Sequence, residues 1–165
     1  MKNSDDSNSD FIARLAKICD NDRGKAACLR RYWSTTTRAY AYQALGSLGA
    51  LGDHPATLVA ALYALHPSHQ TGQGIGTAAL KLGERKEGEH PYDRHFRRLL
   101  ACEDLMELAP PLHRLVKRLA TEGKPLDYTE LLKQLRFWEN GYSQGVKITW
   151  AKQFWQASID TNPVP

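Results

Sequence analysis

The sequence predicts an all-α protein, an irregular bundle of about seven or eight helices. Three observations carry this expectation. Apolar residues recur at three- and four-residue spacing in segment after segment. No stretch shows the sustained period-two alternation of a strand. Asp, Pro and Gly stand where such helices would begin and end.

Residues 1–10 are polar and read as a disordered tail with little to bury. Ser9 or Asp10 is the expected cap of a first helix, whose apolar face is Phe11, Ile12, Leu15, Ile18 and Cys19. Asp22 is placed to cap a second helix running to about Trp33, with Ala26, Leu29 and Trp33 near one face. Thr35–Thr37 ends it, and an Ala- and Tyr-rich stretch follows to Leu48, closed by Gly49 and Gly52. His54-Pro55 opens a helix of Leu58, Val59, Leu62, Tyr63 and Leu65 set among alanines. It is almost free of charge, which marks the most buried helix of the chain.

A Gly- and Gln-rich loop spans 68–77 and leads into a short helix, about Ile75 to Gly83. The charged run 84–90 reads as a solvated, self-neutralising linker. It suggests two small lobes sharing a core, 11–84 and 85–160, with a loose end at 161–165. Beyond Pro91, the stripe Tyr92, Phe96, Leu99 and Leu100 predicts one helix. Asp104 caps a short turn to Leu108, and Pro110-Pro111 restarts the chain as a helix carrying Leu112, Leu115, Val116 and Leu119, ended by Gly123. Asp127 with Glu130 forms a capping box, and Leu126 staples onto Leu131. That helix buries Tyr128, Leu131, Leu132, Leu135 and Trp138 and breaks at Asn140-Gly141. A last helix, near Val146 to Ala157, buries Val146, Trp150, Phe154 and Trp155.

A chain of 165 residues can bury about 70% of its unfolded surface, so its core needs no disulfide or metal. No apolar run approaches the length of a membrane span, and MKNSDDSNSD lacks the apolar centre of a signal peptide. Three widely spaced cysteines, Cys19, Cys28 and Cys102, fit a reduced, cytoplasmic setting.

Enzyme chemistry finds no constellation. Gly72-Gln-Gly-Ile-Gly-Thr77 has neither the preceding strand nor the following Lys of a phosphate loop, leaving only a helix start whose N–H groups can hold a phosphate oxygen. The His66/His69 and His90/His95 pairs have no ligand partner at metal-site spacing. His113, on a basic helix face, reads as a solvated residue. Glu84, Glu87 and Glu89 are mixed with Arg85 and Lys86 and do not form a desolvated acid/base pair. No catalytic residue, cofactor or metal is expected.

The positive residues say more. The formal charge is +4; the first ten residues hold −2, leaving +6 for the rest. Arg23, Lys25, Arg30, Arg31 and Arg38 lie in a stretch without acids, while residues 39–80 hold Asp53 and no base. Lys81 follows. Arg94, Arg97 and Arg98 stand at i, i+3, i+4 opposite one apolar stripe, and Arg114, Lys117 and Arg118 repeat that spacing opposite the next. Each helix therefore turns three cations to solvent. Arg outnumbers Lys in both sets and suits bidentate phosphate contact. Neither set is interleaved with aromatics, so the pattern predicts contact with a nucleic-acid backbone more than base readout. The candidate nucleic-acid-binding residues are Lys25, Arg30, Arg31, Arg38, Lys81, Arg94, Arg97, Arg98, Arg114, Lys117 and Arg118.

An ordered series of segments resembles a known family. Arg94–Leu100 follows an [ER]RxFxRLL-type pattern, Leu112–Leu119 a basic amphipathic helix, Pro125–Trp138 a PLDxxxLxxxLxxW pattern, and Trp150–Trp155 a closing Trp-containing helix. Gly74–Leu80 and Lys25–Arg31 match more loosely. Together they resemble the small subunit of the type I-E CRISPR surveillance complex, the CasB family of Cascade. Pro110-Pro111 and His95, where the family often has Arg, depart from its pattern. The resemblance implies an all-helical, non-catalytic, two-lobed subunit. Two copies would pack beside the backbone and large subunits, lining the path of the guide RNA–target DNA heteroduplex and the displaced strand. Arg30, Arg31, Arg94, Arg97, Arg98, Arg114, Lys117 and Arg118 fall on its basic segments. Two other readings stay open: a free-standing helical DNA-binding regulator, and a protein–protein adaptor with a basic face and Trp33, Trp138 or Trp155 as anchors.

Overall fold

The computed structural model describes residues 3–156; the expected loose end at 161–165 lies outside them. Nine α-helices are present among the described residues, and backbone pairing between extended segments is confined to two isolated bridges. They are α1 (Ser4–Asn21), α2 (Arg23–Arg30), α3 (Tyr42–Ser47), α4 (His54–Leu65), α5 (Ile75–Leu80), α6 (Asp93–Leu100), α7 (Leu105–Glu122), α8 (Tyr128–Glu139) and α9 (Ser143–Ala151). Short 3₁₀ turns at Arg31–Trp33 and Arg38–Ala41 join α2 to α3, and a π-helical turn, Lys152–Gln156, continues α9.

The apolar, uncharged α4 occupies the centre, as its composition requires. Ten of its residues, Pro55 through Ala64, are buried, and α1, α2, α7 and α8 pack around it. Asp53 caps it by accepting the Ala56 N–H at 3.2 Å. The Asp22 and Asp127 caps also form, accepting from Lys25 N–H and Glu130 N–H at 3.0 Å each. The reciprocal half of the Asp127 box does not form, because the Asp127 N–H donates to the Gln73 carbonyl. Gly123 ends α7 at φ 66°, as its position predicts.

Three expectations need correction. First, α1 begins at Ser4, so residues 4–10 are helical and not a disordered tail, and neither Ser9 nor Asp10 is the cap. The reason is tertiary. Asn8 is buried and accepts from Arg136 Nε at 3.2 Å, and Asp5 pairs with Lys133 at 3.5 Å, both partners lying on α8. Second, α7 runs unbroken through Pro110 and Pro111 instead of restarting there. Pro111 cannot donate to the Glu107 carbonyl, and the Cys102 thiol lies 3.4 Å from it in its place, sharing its proton with the Arg98 carbonyl at the same distance. Third, 84–90 is not a wholly solvated linker. Arg85 is half-buried, donates to the Phe154 carbonyl at 3.0 Å and pairs with Asp93 at 3.5 Å. Side chains from both sides of this segment join in one continuous core cluster.

Candidate nucleic-acid interface

The two cation triplets lie on helices that pack against each other. On α6, Phe96 and Leu99 face the core, which leaves Arg94, Arg97 and Arg98 exposed. On α7, Leu112, Leu115, Val116 and Leu119 are buried, leaving Arg114, Lys117 and Arg118 exposed. Tyr92, at the N-terminus of α6, packs half-buried against the core. Burial pushes the Tyr92 phenol up, and the Arg114 and Arg118 guanidiniums close by oppose that rise. Among the described residues, the side chains of Arg94, Arg98, Arg114 and Lys117 make no hydrogen bond or ion pair. Arg118 pairs with Glu122 at 3.0 Å, an exposed i,i+4 pair of small worth that water competes for. Arg97 lies 5.9 Å over the Trp155 ring.

A second basic region joins this face through a ring stack absent from the sequence reading. His113 stacks on Trp33 at 4.2 Å and 9°, so it is not a freely solvated residue. Burial lowers its imidazole pKa, and Lys117 and Arg114 lower it further. Trp33 in turn donates its indole N–H to the Ala61 carbonyl at 3.1 Å. Of the N-terminal candidates, Arg31 is exposed over the Tyr40 ring at 4.9 Å. Arg30 donates to the Ala64 carbonyl at 3.3 Å, capping α4, and Arg38 donates to the Tyr32 carbonyl at 2.9 Å. Lys25 is half-buried, and Lys81 bonds the Gln73 side chain. The eleven cations therefore divide into free ones, centred on α6 and α7, and ones partly committed to holding the fold.

The glycine-rich loop is a packing device. Gly76 donates its N–H to Gln153 Oε1 at 3.0 Å, so this donor is not available to a phosphate. A Cβ at Gly76 would overlap the Trp150 carbonyl oxygen and the Gln153 side chain. The glycines let α5 approach α9 and the π turn closely. Among the described residues no group of three His, Cys, Asp or Glu side chains is arranged to hold a metal ion. No helix there is long and apolar enough to cross a membrane. Of the tryptophans read as anchors, Trp138 is buried, and Trp33 and Trp155 pack against the core.

The family model for CRISPR-associated protein Cse2 matches residues 14–155. The chain belongs to the Cse2 family. Membership makes it a subunit of a CRISPR surveillance complex, and the resemblance seen in the C-terminal segments holds over most of the chain. The Cse2 fold is shared with solved structures. CasB from Thermus thermophilus is 23% identical with a TM-score of 0.72, over 90% of this chain and 97% of that one. CasB from Thermobifida fusca is 23% identical with a TM-score of 0.71, over 91% and 96%. A further Thermus thermophilus structure, of a CRISPR-associated protein of the Cse2 family, is 22% identical with a TM-score of 0.73, over 90% and 97%. No curated protein sequence matches the chain. Sequence reasoning missed two parts of this Cse2 surface, the Tyr92–His95 ring pair and the Trp33–His113 stack. The i,i+3 spacing of Tyr92 and His95 hinted at a ring pair, which forms at 5.1 Å. Nothing local marks a stack between residues 80 positions apart.

Proposed function

We propose that this subunit is a non-catalytic, cytoplasmic scaffold that neutralises phosphates and so holds an R-loop open. Its contacts are with the guide RNA–target DNA heteroduplex and the displaced DNA strand. The observation that carries this reading is the packing together of two helices that each expose three cations, with Glu122 the acid paired to one of them. Exchanging a DNA duplex for the heteroduplex is nearly balanced in free energy, so a few backbone contacts decide whether it stays open. Sequence is then read by the guide, while Arg94, Arg97, Arg98, Arg114, Lys117 and Arg118 supply attraction that ignores sequence. Arg31 extends this surface, and Lys25, Arg30, Arg38 and Lys81 contribute as positive potential more than as free ligands.

The remaining partners are a second copy of the chain and the backbone and large subunits. Exposed Phe137, Tyr142 and Ile148 on and beside α8 and α9 offer an apolar face for such protein contacts. A free-standing regulator is less well supported, because the cations are spread over several helices and not gathered on one recognition helix.

The test is a salt titration of binding to a single strand and to a duplex. With about four to six phosphate contacts, log K falls against log salt with a slope of about −0.7 to −0.9 per contact. A flat response to salt overturns the electrostatic reading. Turnover of any nucleic acid by the purified chain overturns the scaffold role.

A further inference from the structure

The 3₁₀ turn Arg31–Trp33, the first turn of α4 and the middle of α7 enclose a cleft of about 230 Å³. It is lined by Tyr32, Trp33, Arg38, His54, Met106 and His113, with Ala109 in its wall. Four aromatic rings, Tyr32, Trp33, His54 and His113, line it. Trp33 and His113 are stacked, and Tyr32 meets Trp33 edge-on at 5.4 Å. The Arg38 guanidinium lies 4.6 Å over the Tyr32 ring, and its Nε donates to the Tyr32 carbonyl. That bond holds the guanidinium in place, and its two terminal nitrogens make no hydrogen bond among the described residues.

Two further features narrow the ligand class. No carboxylate lines the cleft, and Arg38 is its charged lining residue. Arg114 is adjacent to His113 in sequence and Lys117 is one turn along the same helix. Met106, at 78% exposure, is the most exposed of the large hydrophobic side chains described. A polarizable thioether, stacked rings and a pre-positioned guanidinium suit a flat π-surface that carries a negative charge nearby. An unstacked nucleobase beside its phosphate has this chemistry.

We propose that the cleft receives one base of a bound single strand, with Arg38 at the adjacent phosphate. The inference rests on the nucleic-acid reading above and adds base stacking to it. Stacking on aromatics and Arg tolerates any base, so it is compatible with a protein that leaves sequence to the guide.

The experiment compares binding of the full chain to a labelled oligothymidylate of about 20 nucleotides and to an abasic strand of equal length and charge. The intact strand is expected to bind about five- to tenfold more tightly. Ala109→Leu fills the cleft without changing charge. It should reduce the intact strand to the affinity of the abasic one and leave the abasic strand unaffected. Met106→Ala, at an exposed position that does not threaten folding, should weaken only the intact strand, by about twofold. Equal binding of the two strands, or equal effects of the variants on both, overturns the stacking proposal while leaving the phosphate reading standing. Failure of both strands to bind overturns both readings, and so does binding of an acidic aromatic peptide in place of any strand.

Discussion

At the scale of single residues, close approach and burial decide what is tolerated. Gly76 lies against the Trp150 carbonyl and Gln153, and its N–H is already bonded. Gly76→Ala is therefore expected to cost about 1–3 kcal/mol by overpacking, seen as a fall of roughly 2–12 °C in Tm. An unchanged melting curve would show that α5 and α9 separate freely. His113 makes a second residue-scale prediction. Burial first, then Lys117 and Arg114, hold its pKa below the ordinary 6.5. A histidine lowered in the fold binds its proton less readily than in the unfolded chain, so its contribution is complete above 6.5 and is lost as pH falls through the folded value. NMR titration of its ring should give a midpoint below 6.5, and a midpoint at or above that value contradicts the buried stack on Trp33.

At the scale of elements, α7 shows how a helix survives two consecutive prolines. The lost Pro111 donor exposes the Glu107 carbonyl, and the Cys102 thiol, which shares its one proton with the Arg98 carbonyl at the same 3.4 Å, reaches it. Burial pushes the Cys102 thiol pKa up, assisted by Glu107, so it stays protonated and able to donate. Cys102→Ala should cost about 1 kcal/mol by leaving that carbonyl without its donor. In a Pro111→Ala background, where an ordinary helical N–H returns, the same substitution should cost less. Chemical denaturation of the four variants measures the coupling, and strict additivity would sink the explanation. The start of α1 teaches a related lesson. Its first seven residues are polar, yet Asn8 and Asp5 are held by Arg136 and Lys133 of α8.

At the scale of the whole molecule, one core carries two kinds of surface. The free cations belong to α6 and α7, while exposed Phe137, Tyr142 and Ile148 belong to α8, α9 and the turn between them. Replacing Arg94, Arg97 and Arg98 with Ala should leave stability nearly unchanged, because all three are exposed. It should weaken binding by a similar factor for every strand sequence and flatten the salt slope by up to about 2–3 units. A loss confined to one sequence would contradict backbone contact. In the assembled ribonucleoprotein the same triple variant is expected to shorten R-loop lifetime without altering guide pairing, a difference that single-molecule unwinding resolves.

The sequence alone determined the helical class, the central position of α4, the caps at Asp22 and Asp127, the stop at Gly123 and the two exposed cation triplets. These are local properties. A periodic stripe, a side chain reaching its own backbone three residues on, or three cations on one helical face needs only neighbours in the chain. The tertiary structure decided where α1 begins, why α7 passes through Pro110-Pro111, and how Arg85 comes to be half-buried. It also decided that the helices carrying the two triplets pack together and that His113 meets Trp33. Each of these depends on a partner outside the residue's own helix, from 5 to 128 positions away in the chain. Such contacts form only once the apolar stripes have packed, because burial of the core sets which polar groups and rings face one another.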